Sequence, residues 1–176
     1  MDLPRYDPIA AGFHWLAALL VIALIVLGIG GKAVGEPLGM SGMETIFLHK
    51  SLGMTVFAIT VLRLLWRFGH HPPPLPANTP AWQRRASRWA HLLLYTLMLA
   101  LPVLGYLLSS AGPYPLEWFG TPLPKLPVSK EMGEVAASAH VAGGLTMAAL
   151  VVLHIAAALW HQFVQRDRLI GRMRIG

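Results

Sequence analysis

The chain has 176 residues, of which 55% are hydrophobic and only 12% charged. Soluble domains carry about 25% charged residues, so composition points to a membrane, and the length suits one domain over residues 1–176. Cysteine is absent, which removes disulfides, cysteine zinc sites, iron–sulfur clusters and thioether-linked haem. The net charge of +6 alone would suit nucleic acid. The basic residues instead gather at the ends of apolar runs, as membrane proteins distribute them, so no nucleic-acid partner is expected.

The first apolar run covers about 9–29, IAAGFHWLAALLVIALIVLGI. It exceeds the ~7–15 residues of a signal-peptide core, and no small-residue cleavage site follows, so it reads as a retained helix. The Gly-rich GGKAVGEPLGMSG leads to a second run over about 45–68. The connection GHHPPPLPANTPAWQRRASR comes next, Pro-rich, basic and expected to be extended. A third run spans about 89–109 and contains Pro102, tolerable where neighbours satisfy the freed carbonyl. The connection SAGPYPLEWFGTPLPKLPVSKEMG is expected to cap the bundle at the membrane surface, and the fourth run covers about 135–163. Each run has roughly the 20 residues that a spanning helix needs. The expected fold class is therefore all-α, an integral membrane four-helix bundle without internal repeats.

Arg5, Arg63, Arg67, Arg84, Arg85, Arg88, Arg166, Arg168, Arg172 and Arg174 fall on one side of this layout. Lys32, Lys50, Lys125 and Lys130 fall on the other. The positive-inside rule then puts both termini and the Pro-rich connection in the cytoplasm.

His14, His49, His91, His140, His154 and His161 lie in or at the edges of the apolar runs, while His70 and His71 lie in the Pro-rich connection. Histidine inside a spanning segment is a functional-site hypothesis by default. A single one is more often an interhelical hydrogen bond or an interfacial residue. Several arranged by depth alter that balance. His140 and His154 lie about 21 Å apart along one helix at 1.5 Å per residue, and only about 40° apart around it. His49 matches His140 in depth at the outer end. At the inner end His14, His91, His154 and His161 all compete, with matched depth favouring His14 and His154. His91 then stands as a surrounding or quinone-site residue.

Two facing neutral imidazoles suit a haem iron with both axial positions filled. Zinc would want three or four ligands, often with a carboxylate, and no acidic residue lies in the membrane near these histidines. The expectation is thus a bundle enclosing two b haems, with His14 and His154 on the inner iron and His49 and His140 on the outer. Gly53, Gly143 and Gly144 would leave room for a flat macrocycle, or simply for close helix packing. Arg63, fourteen residues after His49, shares its face at the inner level and is a candidate partner for a haem propionate. With both axial positions filled, electrons enter and leave through haem edges. No catalytic side chain is singled out.

The stretches FHWLAALLVIA, HKSLGMTVFAITVLRLLWR, HLLLYTLMLALPVLG and AHVAGGLTMAALVVLHIAAALWHQF together resemble the prokaryotic cytochrome b561 family over nearly the whole chain. The histidines fourteen apart on the last helix are the most specific part. The resemblance implies two b haems, one held between the first and last helices and one between the second and last. In length and loop pattern it is nearest the stand-alone members that oxidise periplasmic superoxide and reduce ubiquinone. The first and third connections depart from that pattern.

Three functions follow. The chain is a superoxide-to-quinone oxidoreductase, with membrane lipid, quinone and a small anionic oxygen species as its partners. Alternatively it is the cytochrome b relay of a larger quinone-linked dehydrogenase or hydrogenase, with a soluble redox partner. The third is a non-redox helical bundle that senses or transports.

Overall fold

The computed structural model describes residues 4–76 and 79–175. Positions 77 and 78 of the Pro-rich connection, and the extreme ends of the 1–176 span, lie outside the described residues. Helix α1 runs Pro8–Gly30, and a short turn of helix, α2, runs Lys32–Gly35. The long helices α3 (Gly42–Gly69), α4 (Ala81–Ala111) and α5 (Lys130–Trp160) follow. A two-stranded antiparallel hairpin, β1 (Glu117–Trp118) and β2 (Thr121–Pro122), interrupts the α4–α5 connection. After α5 the chain makes a π turn at His161–Gln165 and a 3-10 turn at Leu169–Met173. The four long helices are apolar and long enough to cross a bilayer. The chain is thus a multi-pass membrane protein with a largely helical fold.

Helices α1, α3 and α4 run past the apolar stretches that announce them at both ends, and α5 does so at its start, because polar caps and headgroup-level turns carry no hydropathy signal. Helix α4 starts at Ala81 rather than near Trp89. Its extra turns carry Arg84, Arg85 and Arg88, which are good helix formers. His91 therefore sits well inside α4 instead of at its start. Helix α3 is opened by a capping box, with the Glu44 amide donating to Ser41 Oγ (3.2 Å) and the Ser41 amide to Glu44 Oε2 (2.7 Å). Ser129 caps α5 through the Met132 amide. Pro8 begins α1, and Asp7 Oδ1 accepts from the amides of Ile9 (2.9 Å) and Ala10 (3.1 Å).

Backbones approach closely between α1 and α3, α3 and α4, and α4 and α5. Helix α5 meets α1 at few points and α3 at fewer still. The bundle is thus a ring of contacts left open where α5 faces α1 and α3. Small residues mark the tight seams, as expected where lipid gives helices no hydrophobic reason to associate. A Cβ on Gly143 of α5 would lie 2.8 Å from Leu101 Cδ2 of α4. The core cluster is Ala17, Val21, Val56, Met98 and Met147, at mid-depth. Met147 stands seven residues from both His140 and His154, so an apolar plug separates the two histidine levels.

The lysine-bearing end is covered by the hairpin loop. Phe119 donates its amide to Ser51 Oγ (3.0 Å), and Trp118 Nε1 donates to Thr55 Oγ1 (3.1 Å), so the loop lies against α3. Residues Pro4 and Tyr6 meet Arg172 at the arginine-bearing end. There Arg172, only 3% exposed, donates to the carbonyls of Pro4 (3.0 Å), Pro73 (2.8 Å) and Pro74 (2.9 Å) and lies over the Tyr6 ring. Prolines have no N–H and free carbonyls in need of donors, which a five-donor guanidinium supplies.

Removing Arg172 as Ala leaves three carbonyls short of a donor and should cost about 1–3 kcal/mol. Arg172→Lys should recover only part, lacking the planar fork; thermal unfolding in detergent reads both. Asp7 also accepts from Trp66 Nε1 (3.1 Å), tying α1 to α3. Its carboxyl is held below the ordinary 3.8, first by the Ala10 amide and then, against some desolvation, by Trp66, Ile9 and His70. The folded state thus binds this proton less readily than the unfolded chain. The stabilisation is complete above the ordinary value and fades as pH falls through the lower folded one. Asp7→Asn should keep the cap and flatten this acid limb of the stability–pH curve.

Candidate functional site: two histidine levels on one helix

His140 and His154 project from the same face of α5 and each meets a ring from another helix. His49 of α3 lies 6.1 Å from His140 between ring centres, with the rings steeply inclined at 75°. His14 of α1 lies 6.3 Å from His154 at 65°. His91 of α4 reaches the same level, 5.6 Å from His154. The inner level is therefore a triad around His154. His161 is not part of it: its Nδ1 pairs with Asp167 Oδ2 at 2.5 Å, beyond the end of α5.

Each ring is steered through one nitrogen. His140 Nδ1 donates to the Leu101 carbonyl of α4 at 2.9 Å. Gly105, one turn on, makes this approach possible, since a Cβ there would sit 3.2 Å from His140 Cε1. Gly28 of α1 does the same for His49, with its Cβ position 3.1 Å from His49 Cε1. His49 Nδ1 is buried with no hydrogen-bond partner, and the Leu24 carbonyl of α1 lies on that side. His91 Nδ1 donates to the Ser87 carbonyl at 2.6 Å. These contacts leave Nε2 as the free nitrogen of His140 and His91, the arrangement that fixes an imidazole for metal binding.

His14 is held differently. Arg63 Nη2 lies 3.3 Å from its Nδ1, and a guanidinium can only donate, so Nδ1 accepts. Arg63 also lies over the Tyr95 ring, 5.3 Å from its centre. The arginine is therefore at the inner level, as its spacing from His49 implies. Cation–π and hydrogen-bond partners lower the cost of its charge inside the bundle.

The glycines separate into two kinds. Gly143 is a packing residue against α4. A Cβ on Gly53 or Gly144 would meet nothing within 4 Å. Both follow a histidine of the His49–His140 pair by four residues, one turn, so open space lies beside that pair. Among the described residues, no group of three or more His, Asp or Glu converges as a direct metal site. Gly28, Gly105, Leu101 and Ser87 are not singled out by sequence reasoning. Glycine in an apolar helix is the one available signal, and it does not tell a ring's resting place from an ordinary helix crossing.

The model of the prokaryotic cytochrome b561 family matches residues 5–176. The chain belongs to that family. It is 35% identical to Cytochrome b561 homolog 2 of Escherichia coli (strain K12), covering 96% of this chain and 90% of that protein. It is 26% identical to Cytochrome b561 homolog 1 of the same organism, covering 96% of each. A Yersinia pestis protein named "Probable superoxide oxidase CybB" is 22% identical over 96% of this chain and 95% of its own length. A general redox, electron-transfer role follows for this b561-family chain.

The ring-seating glycines make a direct test. Gly105→Val should push His140 off the Leu101 carbonyl and destabilise the fold by about 1–3 kcal/mol. Gly53→Ala, which meets nothing, should be neutral or slightly stabilising. Thermal midpoints in detergent compare the two.

Proposed function

We propose that this b561-family protein is a single four-helix domain carrying two b haems, and that it oxidises superoxide on the lysine-bearing side and reduces ubiquinone. His49 and His140 would hold one haem and His14 and His154 the other. The observation that carries this is ring spacing. Two imidazoles on opposite sides of one metal, each about 2 Å from it, have ring centres about 6 Å apart. The observed 6.1 and 6.3 Å are close to that spacing, as is the 5.6 Å between His91 and His154. The donor set is all imidazole, which suits haem iron.

Helix packing favours His14 over His91 as the partner of His154. A macrocycle needs a gap between backbones, and α4 packs tightly on α5 whereas α1 stands off. His91, already anchored to Ser87, is left to line the inner level, in reach of a quinone. The open space at Gly53 and Gly144 supports the same partition at the other level, between α3 and α5.

Bound haem supplies one-electron relay at fixed sites. The protein's residues do the rest. Leu101 offers its carbonyl to the Nδ1 atom of His140, which favours the tautomer with Nε2 free. At the inner level that tautomer puts a proton on His14 Nδ1, which repels Arg63. The Arg63 guanidinium would then be free to pair with a haem propionate. The plug at Met147 keeps water from joining the two levels.

On the lysine-bearing side, Lys50 adjoins His49 in sequence and lies close enough to Lys125 to interact with it. Two cations beside the His49–His140 level draw a small anion. The relative named as a superoxide oxidase supports that choice of donor. The balanced reaction takes two superoxide anions to two oxygen molecules while one ubiquinone takes two electrons and two protons. The positive-inside rule puts the arginine-bearing end, with both termini, in the cytoplasm.

Purified protein should show a b-type spectrum with two haems per chain. His154→Ala and His140→Ala should each leave one, and Gly53→Leu or Gly144→Leu should displace the haem beside His49. Two haems remaining in His154→Ala would transfer the ligand role to His91. Stopped-flow mixing with superoxide should reduce the haems, with reoxidation on adding ubiquinone. Failure of the first step, with a soluble dehydrogenase co-purifying, would make the protein a relay subunit; a colourless protein would end both readings.

A further inference from the structure

At the arginine-bearing end lies a cavity of about 780 Å³ that neither histidine level uses. Trp15 of α1, Gln162 and Phe163 of the π turn, and Arg168, Ile170 and Arg174 beyond it form its principal walls. One side is apolar. The Trp15 indole turns its N–H to the Met173 carbonyl (2.8 Å) and keeps its ring for the wall, and Phe163 is 68% exposed.

The other side is cationic. Among the described residues no acidic side chain lines the cavity, and neither Arg168 nor Arg174 forms an ion pair. Asp167, the acid nearest in sequence, is turned to His161 and to the Leu169 amide. A buried acceptor completes the set: Gln162 Oε1 has no hydrogen-bond partner. The backbone is strained to build this wall. A π turn is followed by Arg166 at φ 54° and Arg168 at φ 57°, left-handed conformations that cost an ordinary side chain energy.

We propose that this cavity binds one anionic phospholipid, a phosphatidylglycerol. Its phosphate lies between Arg168 and Arg174, a headgroup hydroxyl donates to Gln162 Oε1, and one acyl chain follows Trp15 and Phe163. Guanidinium matches phosphate oxygens in pairs. The site closes the ends of spanning helices, the depth of lipid headgroups, where basic residues favour anionic lipid. A zwitterionic choline headgroup would bring a cation beside Arg168 and Arg174 and no donor for Gln162. The proposal stands apart from the haem reading.

The test is native mass spectrometry of the full-length protein, stripped of lipid by detergent exchange and titrated with phosphatidylglycerol or phosphatidylcholine. One phosphatidylglycerol per chain should bind, at about tenfold lower concentration than phosphatidylcholine. The double variant Arg168→Asn with Arg174→Gln should lose that preference; asparagine tolerates the left-handed backbone, so the turn is kept. If the double variant unfolds by circular dichroism, Arg174→Gln alone carries the comparison. Gln162→Leu should weaken phosphatidylglycerol but not phosphatidic acid, which lacks the headgroup glycerol. Equal binding of the two lipids, or an unchanged preference in the arginine variant, overturns the proposal. So does displacement of the lipid by inorganic phosphate alone, which marks a free-anion site, or by a short-chain ubiquinone, which marks a quinone pocket.

Discussion

An imidazole inside a bilayer has two nitrogens to satisfy and no water to do it. Most of this bundle's local structure answers that demand. Leu101 and Ser87 give carbonyls to the Nδ1 atoms of His140 and His91, and glycine stands where a ring must lie flush against a helix. Once one nitrogen is tied to backbone, the ring cannot swing, and the second nitrogen points where its helix puts it. An unpartnered nitrogen in such a place is expensive. The orphaned Nδ1 of His49 and the guanidinium facing His14 are therefore the points where this state of the bundle is least settled.

The packing divides accordingly. Seams of small residues hold α4 against α5, and α1 lies against α3, with α3 joined to α4. Toward α1 and α3, helix α5 is excused from close backbone contact. A bundle packed evenly on all sides would be more stable and would have no interior in which to place anything. The loss is offset at the ends, where Arg172 fastens three separate stretches of chain and the hairpin loop is bonded to Ser51 and Thr55.

Spacing was readable before any coordinates. Fourteen residues between His140 and His154, and between His49 and Arg63, fix shared faces by helical pitch alone, and the rings do meet in the expected pairs. Depth could not choose within the inner level, because it ranks residues along a helix and says nothing of azimuth between helices. His161 illustrates this, withdrawn to Asp167 by a π turn that no hydropathy pattern signals. Helix ends differ from the ends of the apolar runs for another reason. A helix stops where its hydrogen bonds stop, whereas an apolar run stops where the lipid does, and the arginines at the start of α4 lie between those limits. Of the two roles that sequence leaves open for these glycines, Gly143 takes the packing one against Leu101, whereas Gly53 and Gly144 have open space beside them.

One helix carrying a partner for each level has a mechanical consequence. The distance between the levels can change only in steps. One residue added between His140 and His154 would swing one ring about 100° off its face, while seven would restore the face to within about 20° and lengthen the spacing by about 10 Å. Separation is quantised by the pitch of α5. A tilt or slide of that helix moves both levels at once, whereas a shift of α1 or α3 disturbs only one. Any device that acted on both ends of the electron path together would have to act on α5.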